Sequence, residues 1–329
     1  MLVRPLRLVA CSNGQLLLSG ELINILAERL NKEWFDGHQQ FWTEVSLLSS
    51  LKHKNLVSLV GFCDDNDEKV IIYKRETRKS LSNYLSDSIL LTWVRRLEIS
   101  VGIAQALSYI HYDESLDFSV IHRNINSDSV YLNDDWEPKL GDFIGSMKIK
   151  ASERNRSFNT DKVWIGMDGY TDPTYIETKS AHHKSDMYSF GIVMFELLCG
   201  RRAVIANDTN KYLAPMAITH YSEKRLEYII DWDLWTQMDS ESFNIFAETV
   251  YECLNEERSQ RPNVNEIVTK LEKALELAHV NQPLSPATIW GFPRRLVAGD
   301  TFPRRLVAGE TSLGKARKGF FPQRQSPAK

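Results

Sequence analysis

Apolar residues recur at helical spacing at Phe41, Val45, Leu48 and Leu51, which predicts a helix with Glu44 on a neighbouring face. A longer helix is predicted from Leu97, Val101, Ala104, Leu107 and Ile110, with Thr92 placed to cap it. Between them, Asn55–Cys63 and Lys69–Tyr73 are short β-branched and apolar runs, the pattern of strands. The stretch Lys184–Cys199 is apolar on nearly every side and closes with Gly200, so it reads as a helix in the middle of a core. Farther on, Val264, Ile267, Val268, Leu271 and Leu275 form one stripe behind Arg261-Pro262. That stripe predicts a last helix with proline in its first turn, and a domain end near Ala278.

The 329 residues are 43% hydrophobic and 25% charged, a soluble globular composition with ample length for one large domain. No run of eighteen apolar residues is present, so no membrane span is expected, and Met1–Val9 is too short and interrupted for a signal peptide. Leu2 stands where myristoylation requires glycine. Cys11, Cys63, Cys199 and Cys253 are far apart and lack metal-ligand spacing, which fits reduced thiols in a cytosolic protein. Charge is uneven: residues 281–329 hold nine Lys/Arg against two Asp/Glu (+7), leaving 31 against 41 (−10) for the rest. That basic tail repeats one string, Phe292–Asp300 and Phe302–Glu310, with Glu for Asp at the end. Two such short units cannot build a core, so residues 279–329 are expected to be disordered. With no aromatic ladder or amphipathic period, they carry no specific nucleic-acid signature.

The candidate chemistry centres on His122-Arg123-Asn124-Ile125-Asn126-Ser127-Asp128-Ser129, followed by Asp142-Phe143-Ile144. Around these stand, in order, Glu44, Lys54–Gly61, Gly169-Tyr170-Thr171-Asp172-Pro173, Lys184–Gly191 and Arg261-Pro262. The ordered set, over about four fifths of the chain from Gly14 to Ala278, resembles a plant receptor-like or receptor-like cytoplasmic protein kinase. The resemblance implies an α+β, bilobal protein-kinase fold over residues 1–278, with a nucleotide cleft between the lobes. Its small β-rich N-lobe, truncated at its start, would span about 1–75 and its helical C-lobe about 76–278.

The resemblance also implies roles that this chain does not fill. The family's catalytic-loop aspartate, which orients the attacking hydroxyl, is Asn124, an amide without useful basicity. Its lysine is Asn126, and its magnesium-binding asparagine is Ser129. Asp142 is kept, but Ile144 replaces the following glycine. The ATP-binding lysine falls at Glu28, which would set a like charge against Glu44, worth on the order of 4 kcal/mol at about 4 Å. A one-residue slip would offer Arg29 instead. Aligning Gly14 with the last glycine of the phosphate loop puts Val9 and Cys11 at the other two. A vestigial nucleotide cleft is therefore expected from Gly14, Leu16, Leu26, Tyr73 and Tyr131, with Leu26 and Tyr131 larger than the usual adenine contacts.

The retained positions are structural: Glu44, Leu48, His122, Arg123, Phe143, Asp186 and Arg261. Arg261 lacks its family partner, because Thr174 stands where a glutamate should, and Glu177 is the nearby substitute. His182-His183 reads as an exposed loop, and Ser157 and Thr160 as candidate phosphorylation targets near Arg123. Taken together the sequence points to a pseudokinase that scaffolds or allosterically partners other kinases or signalling proteins. It would need no cofactor, and would lie in the cytoplasm, at the inner face of the plasma membrane if family analogy holds. The alternatives are a weakly active serine/threonine kinase using ATP and Mg, and a degenerate copy without selected function.

Overall fold

The computed structural model describes residues 2–3, 10–30, 37–65, 68–160, 163–164, 166–205 and 211–281. The basic repeat and Val9 lie outside them. After β1 (Leu2–Val3), strands β2 (Ala10–Leu18) and β3 (Glu21–Arg29) form a hairpin. Ser19 and Gly20 turn it with φ of 50° and 88°, the positive values a two-residue hairpin turn needs. Helix α1 (Gly37–Ser50) follows, then β4 (Leu59–Asp65) and β5 (Glu68–Lys74). The antiparallel sheet runs β2-β3-β5-β4, and α1 buries Phe41, Val45, Leu47 and Leu48, with Leu51 buried just after it.

The fourth strand starts at Leu59, not Asn55. Residues 55–57 serve another purpose: the Asn55 side chain donates to Pro138 O at 3.0 Å, and Val57 N to Leu140 O at 3.0 Å. These bonds tie the small lobe to the large one, and such pairing outcompetes the strand that the apolar run alone suggests.

In the large lobe, Thr92 caps α2 (Trp93–Tyr112) as expected, accepting from Arg95 N. Two short ladders follow. Strand β6 (Phe118–Ile121) pairs with β9 (Met147–Lys150), and β7 (Val130–Leu132) with β8 (Pro138–Leu140). Strand β10 (Phe158–Asn159) pairs with β12 (Ser180–Ala181), and β11 (Val163–Trp164) with β1. Helices α3 (Pro173–Thr178), α4 (His183–Cys199), α5 (Leu213–Ser222), α6 (Trp232–Trp235), α7 (Ser240–Cys253) and α8 (Val264–Val280) complete the lobe. Every residue from Ser185 to Cys199 is buried, so α4 is the central helix its all-round apolar sequence predicts, and Gly200 ends it at φ 68°.

Two local expectations change. Pro262 lies before α8 rather than in its first turn, because Asn263 and Glu266 form a capping box that starts the helix at Val264. His183 is not exposed: its Nδ1 contacts Arg154 O at 2.8 Å and its Nε2 the Ser119 hydroxyl at 3.0 Å, within the core. The whole is the bilobal α+β arrangement, a small sheet with one helix followed by a helical body. Among the described residues no helix is long and apolar enough to cross a membrane.

Candidate functional site

A cleft of about 400 Å³, including solvent at its mouth, is lined by Leu26 and Glu28 of β3, Tyr73 of β5, Tyr131 of β7, and Asp142. Val57, Gly141 and the Lys74-Arg75-Glu76 connection complete it. Sequence reasoning missed these last five, since nothing in a polar connection announces that it passes a cleft. Gly14 and Leu16 do not line it. The hairpin register sets Cys11 opposite Glu28, so Gly14, opposite Ile25, and Leu16, opposite Ile23, lie farther toward the turn. Gly14 is an ordinary strand residue, and a Cβ there would meet Ile25 at an unstrained 3.6 Å. Because successive strand residues face opposite ways, Glu28 faces the cleft while Arg29 is turned out and held by both oxygens of Glu68.

Glu44 is fully buried on α1 and accepts a hydrogen bond from the Tyr73 hydroxyl at 3.0 Å. A tyrosine thus reaches the carboxylate that a lysine would hold in the family pattern. Burial, then the charges of Glu44, Glu28 and Asp142, push the Tyr73 hydroxyl well above its ordinary pKa. Three carboxylates therefore bear on one phenol at the inner end of the cleft.

The catalytic loop is held from below. Asp186 of α4 accepts from His122 N and Arg123 N, each at 2.8 Å, and contacts His111 Nε2 at 2.9 Å. Its full burial pushes its pKa up, against the pull of His122 and the two amides. Those bonds fix Arg123 at φ 65°, a left-handed conformation that a non-glycine residue keeps only when its surroundings demand it. The Arg123 guanidinium donates to the Tyr175 hydroxyl. His122 packs its ring 4.6 Å from Phe143, and Leu48 is buried on α1, whose helix packs against the turn Phe143–Gly145.

Asn124, Asn126 and Ser129 bind one another. Asn126 Nδ2 donates to Asn124 O at 2.8 Å and lies 3.4 Å from Asn124 Oδ1. Asn126 Oδ1 accepts from Asp128 N and Ser129 N, both at 3.0 Å. The Ser129 hydroxyl donates to Asn126 O at 2.8 Å and accepts from Asn126 N at 3.1 Å. Asn124, Asn126 and Ser129 are at most 5% exposed, so these bonds stand in for water. A Cβ on Gly166 would fall 2.5 Å from Asn124 Oδ1, so backbone from the segment before α3 closes over the amide. Asp142 sits at φ 70° at the cleft end of the same loop system. Among the described residues no three His, Cys, Asp or Glu side chains converge as a metal site.

Arg261 has found a partner that sequence reasoning missed. The Thr174 hydroxyl donates to Glu256 O, at 3.5 Å, and Glu177 is exposed. The carboxylate is Asp172, which accepts from Arg261 Nη2 at 2.9 Å, Arg258 Nη2 at 3.1 Å and the Ser185 hydroxyl at 2.8 Å. Burial works against its charge, yet these partners outweigh burial and hold Asp172 below the ordinary carboxylate range. Asp172 was legible as part of the Gly169–Pro173 block, but its direction was not. Of the candidate phosphorylation targets, Ser157 is exposed and the Thr160 hydroxyl donates to Lys179 O at 2.9 Å.

Residues 23–271 match the protein kinase domain family. The receptor-like protein kinase ANXUR1 of Arabidopsis thaliana is 34% identical over 257 residues, covering 77% of this chain and 30% of that protein. Receptor-like protein kinase FERONIA of the same plant is 33% identical over 264 residues, 79% of this chain and 29% of FERONIA. The probable serine/threonine-protein kinase PBL2, also from Arabidopsis thaliana, is 35% identical over 280 residues, 84% of this chain and 64% of PBL2. The chain thus spans about a third or less of the receptor-like proteins it matches and under two thirds of PBL2. A lobe-linking catalytic loop anchored by Asp186, a cleft below the β3 strand and these matches agree: the chain belongs to the protein kinase domain family.

Proposed function

We propose that the kinase domain, residues 1–278, is catalytically impaired and acts as a signalling scaffold or allosteric partner of other kinases. The observation that carries this reading is the closed hydrogen-bond set of Asn124, Asn126 and Ser129. In an active site of this family, a base, a cation and a metal ligand at these positions would face the phosphoryl group. Here the Ser129 hydroxyl is committed to Asn126 O, and the Asn126 amide to Asn124 and the turn. The donor set fits magnesium poorly, since that ion takes six oxygens and, of the family's aspartate and asparagine ligands, only the aspartate, Asp142, stands here. In the cleft lining Glu28, Glu76 and Asp142 outnumber Lys74 and Arg75, which disfavours a polyphosphate, while Leu26 and Tyr131 narrow the space for adenine. Docking through a kinase-shaped surface needs none of these groups. The likeness to receptor-like protein kinases supports a role in signalling.

Thermal unfolding of the full chain, with and without millimolar ATP and magnesium, tests the reading. A ligand at a hundredfold excess over its dissociation constant stabilises the native state by about 2.7 kcal/mol. We expect a cooperative transition whose midpoint does not move. A magnesium-dependent rise would sink the proposal in favour of a weakly active kinase, and a non-cooperative transition would favour a degenerate copy.

A further inference from the structure

Glu196, on the inner side of α4, takes no part in the cleft or the catalytic loop hydrogen bonds described above. It is fully buried. Its Oε1 accepts from the Tyr170 hydroxyl at 2.6 Å and from Ala203 N at 2.7 Å. The same Tyr170 hydroxyl lies 3.1 Å from the Ser127 hydroxyl of the catalytic loop. One carboxyl therefore gathers three chain segments: the catalytic loop, the stretch leading into α3, and the turn after α4. Its other oxygen, Oε2, is buried with no hydrogen-bond partner. An ionised carboxylate left half-solvated in this way is costly, and a neutral carboxyl far less so.

The titratable and charged groups around it are Tyr170, from the segment before α3, Arg202, after α4, and Asp128 of the catalytic loop. Arg202 is already paired with Asp128 at 2.9 Å, so it offers Glu196 no full counter-charge. Burial pushes the Glu196 carboxyl up to about 7, against the hydrogen bonds of Tyr170, Ala203 and Ser127 and the charge of Arg202.

We propose that Glu196 is a proton-operated latch: protonated, it closes the Tyr170 segment and the catalytic loop onto α4, and loss of the proton releases that segment. The latch does not depend on the catalytic reading, since an active kinase with the same contacts would carry it too. Linkage fixes the direction. In the open segment Glu196 returns to an ordinary value near 4.5, so between 4.5 and about 7 the closed form binds the extra proton. Opening is therefore favoured about tenfold per pH unit as pH rises through this window, and levels off above it.

Hydrogen–deuterium exchange of the full chain between pH 5 and 8.5, corrected for intrinsic exchange rates, reads this at peptides covering residues 166–172. Protection should fall about tenfold per pH unit up to pH 7 and then flatten, and Glu196→Gln should abolish the slope. Tyr170→Phe, which removes a donor to the carboxylate, should carry the slope to higher pH. Protection that is independent of pH in the wild type would overturn the latch. So would a slope that survives in Glu196→Gln, or, should that variant fail to fold, one whose upper limit does not move in Tyr170→Phe.

Discussion

Asp172→Asn is the substitution for which the structure gives the firmest expectation. The amide keeps the shape of the carboxylate and an oxygen for Thr174 N, its helix-capping partner at 3.0 Å. What it removes is one negative charge from a site where Arg261 is 2% exposed and Arg258 is mostly covered. Arg261 Nε and Nη1 would keep their carbonyl acceptors on Asn255 and Lys184, and Nη2 the retained oxygen, so the loss falls on the uncompensated charge and on the Arg258 Nη2 and Ser185 contacts to the other oxygen. Breaking a buried pair from one side costs about 3–5 kcal/mol. At about 2–4 °C per kcal/mol for a domain of this size, the midpoint of thermal unfolding should fall by roughly 6–20 °C. The effect carries a pH signature. Because the folded pKa is depressed, this stabilisation is fully present above about 3.8 and is lost as pH falls through the folded value. The gap between wild type and variant should then narrow in acid. A midpoint shift below about 2 °C at neutral pH would refute the reasoning, because it would mean that Arg261 does not depend on Asp172 for its charge.

Two further substitutions probe other parts of the argument. Asn124→Asp restores the family's base but leaves Asn126, Ser129 and Glu28 in place, so transfer of labelled phosphate from ATP to a generic protein substrate should stay at background; measurable turnover would contradict the impaired reading. Arg96 is 1% exposed and donates to three main-chain carbonyls, Leu91 O, Leu197 O and Leu85 O, at 2.7, 2.7 and 2.8 Å. Arg96→Met leaves all three without donors and should lower stability by about 3 kcal/mol or more in urea unfolding; a loss under about 1 kcal/mol would show that water replaces the guanidinium.

Helices α1, α2 and α4 were legible because a one-sided or all-round apolar pattern repeats within each segment, and such patterns need no knowledge of the neighbour they meet. The place of Asn124, Asn126 and Ser129 on one loop was legible too, since His122-Arg123 precedes them and Asp142 follows. Where a side chain turns is a different kind of fact. Asp172 against Thr174, His183 inside rather than out, and Asn55 donating across to Pro138 all depend on elements dozens of residues away. The hairpin register that removes Gly14 and Leu16 from the cleft is likewise set by strand pairing, which a single strand does not encode. What sequence alone supplies is that Asn124, Asn126 and Ser129 are uncharged and without useful basicity, because residue identity decides both. That Asn124, Asn126 and Ser129 satisfy one another and that Glu196 stands buried among three segments came only with the packed fold, because burial and hydrogen-bond partnership exist only once distant parts of the chain are packed together.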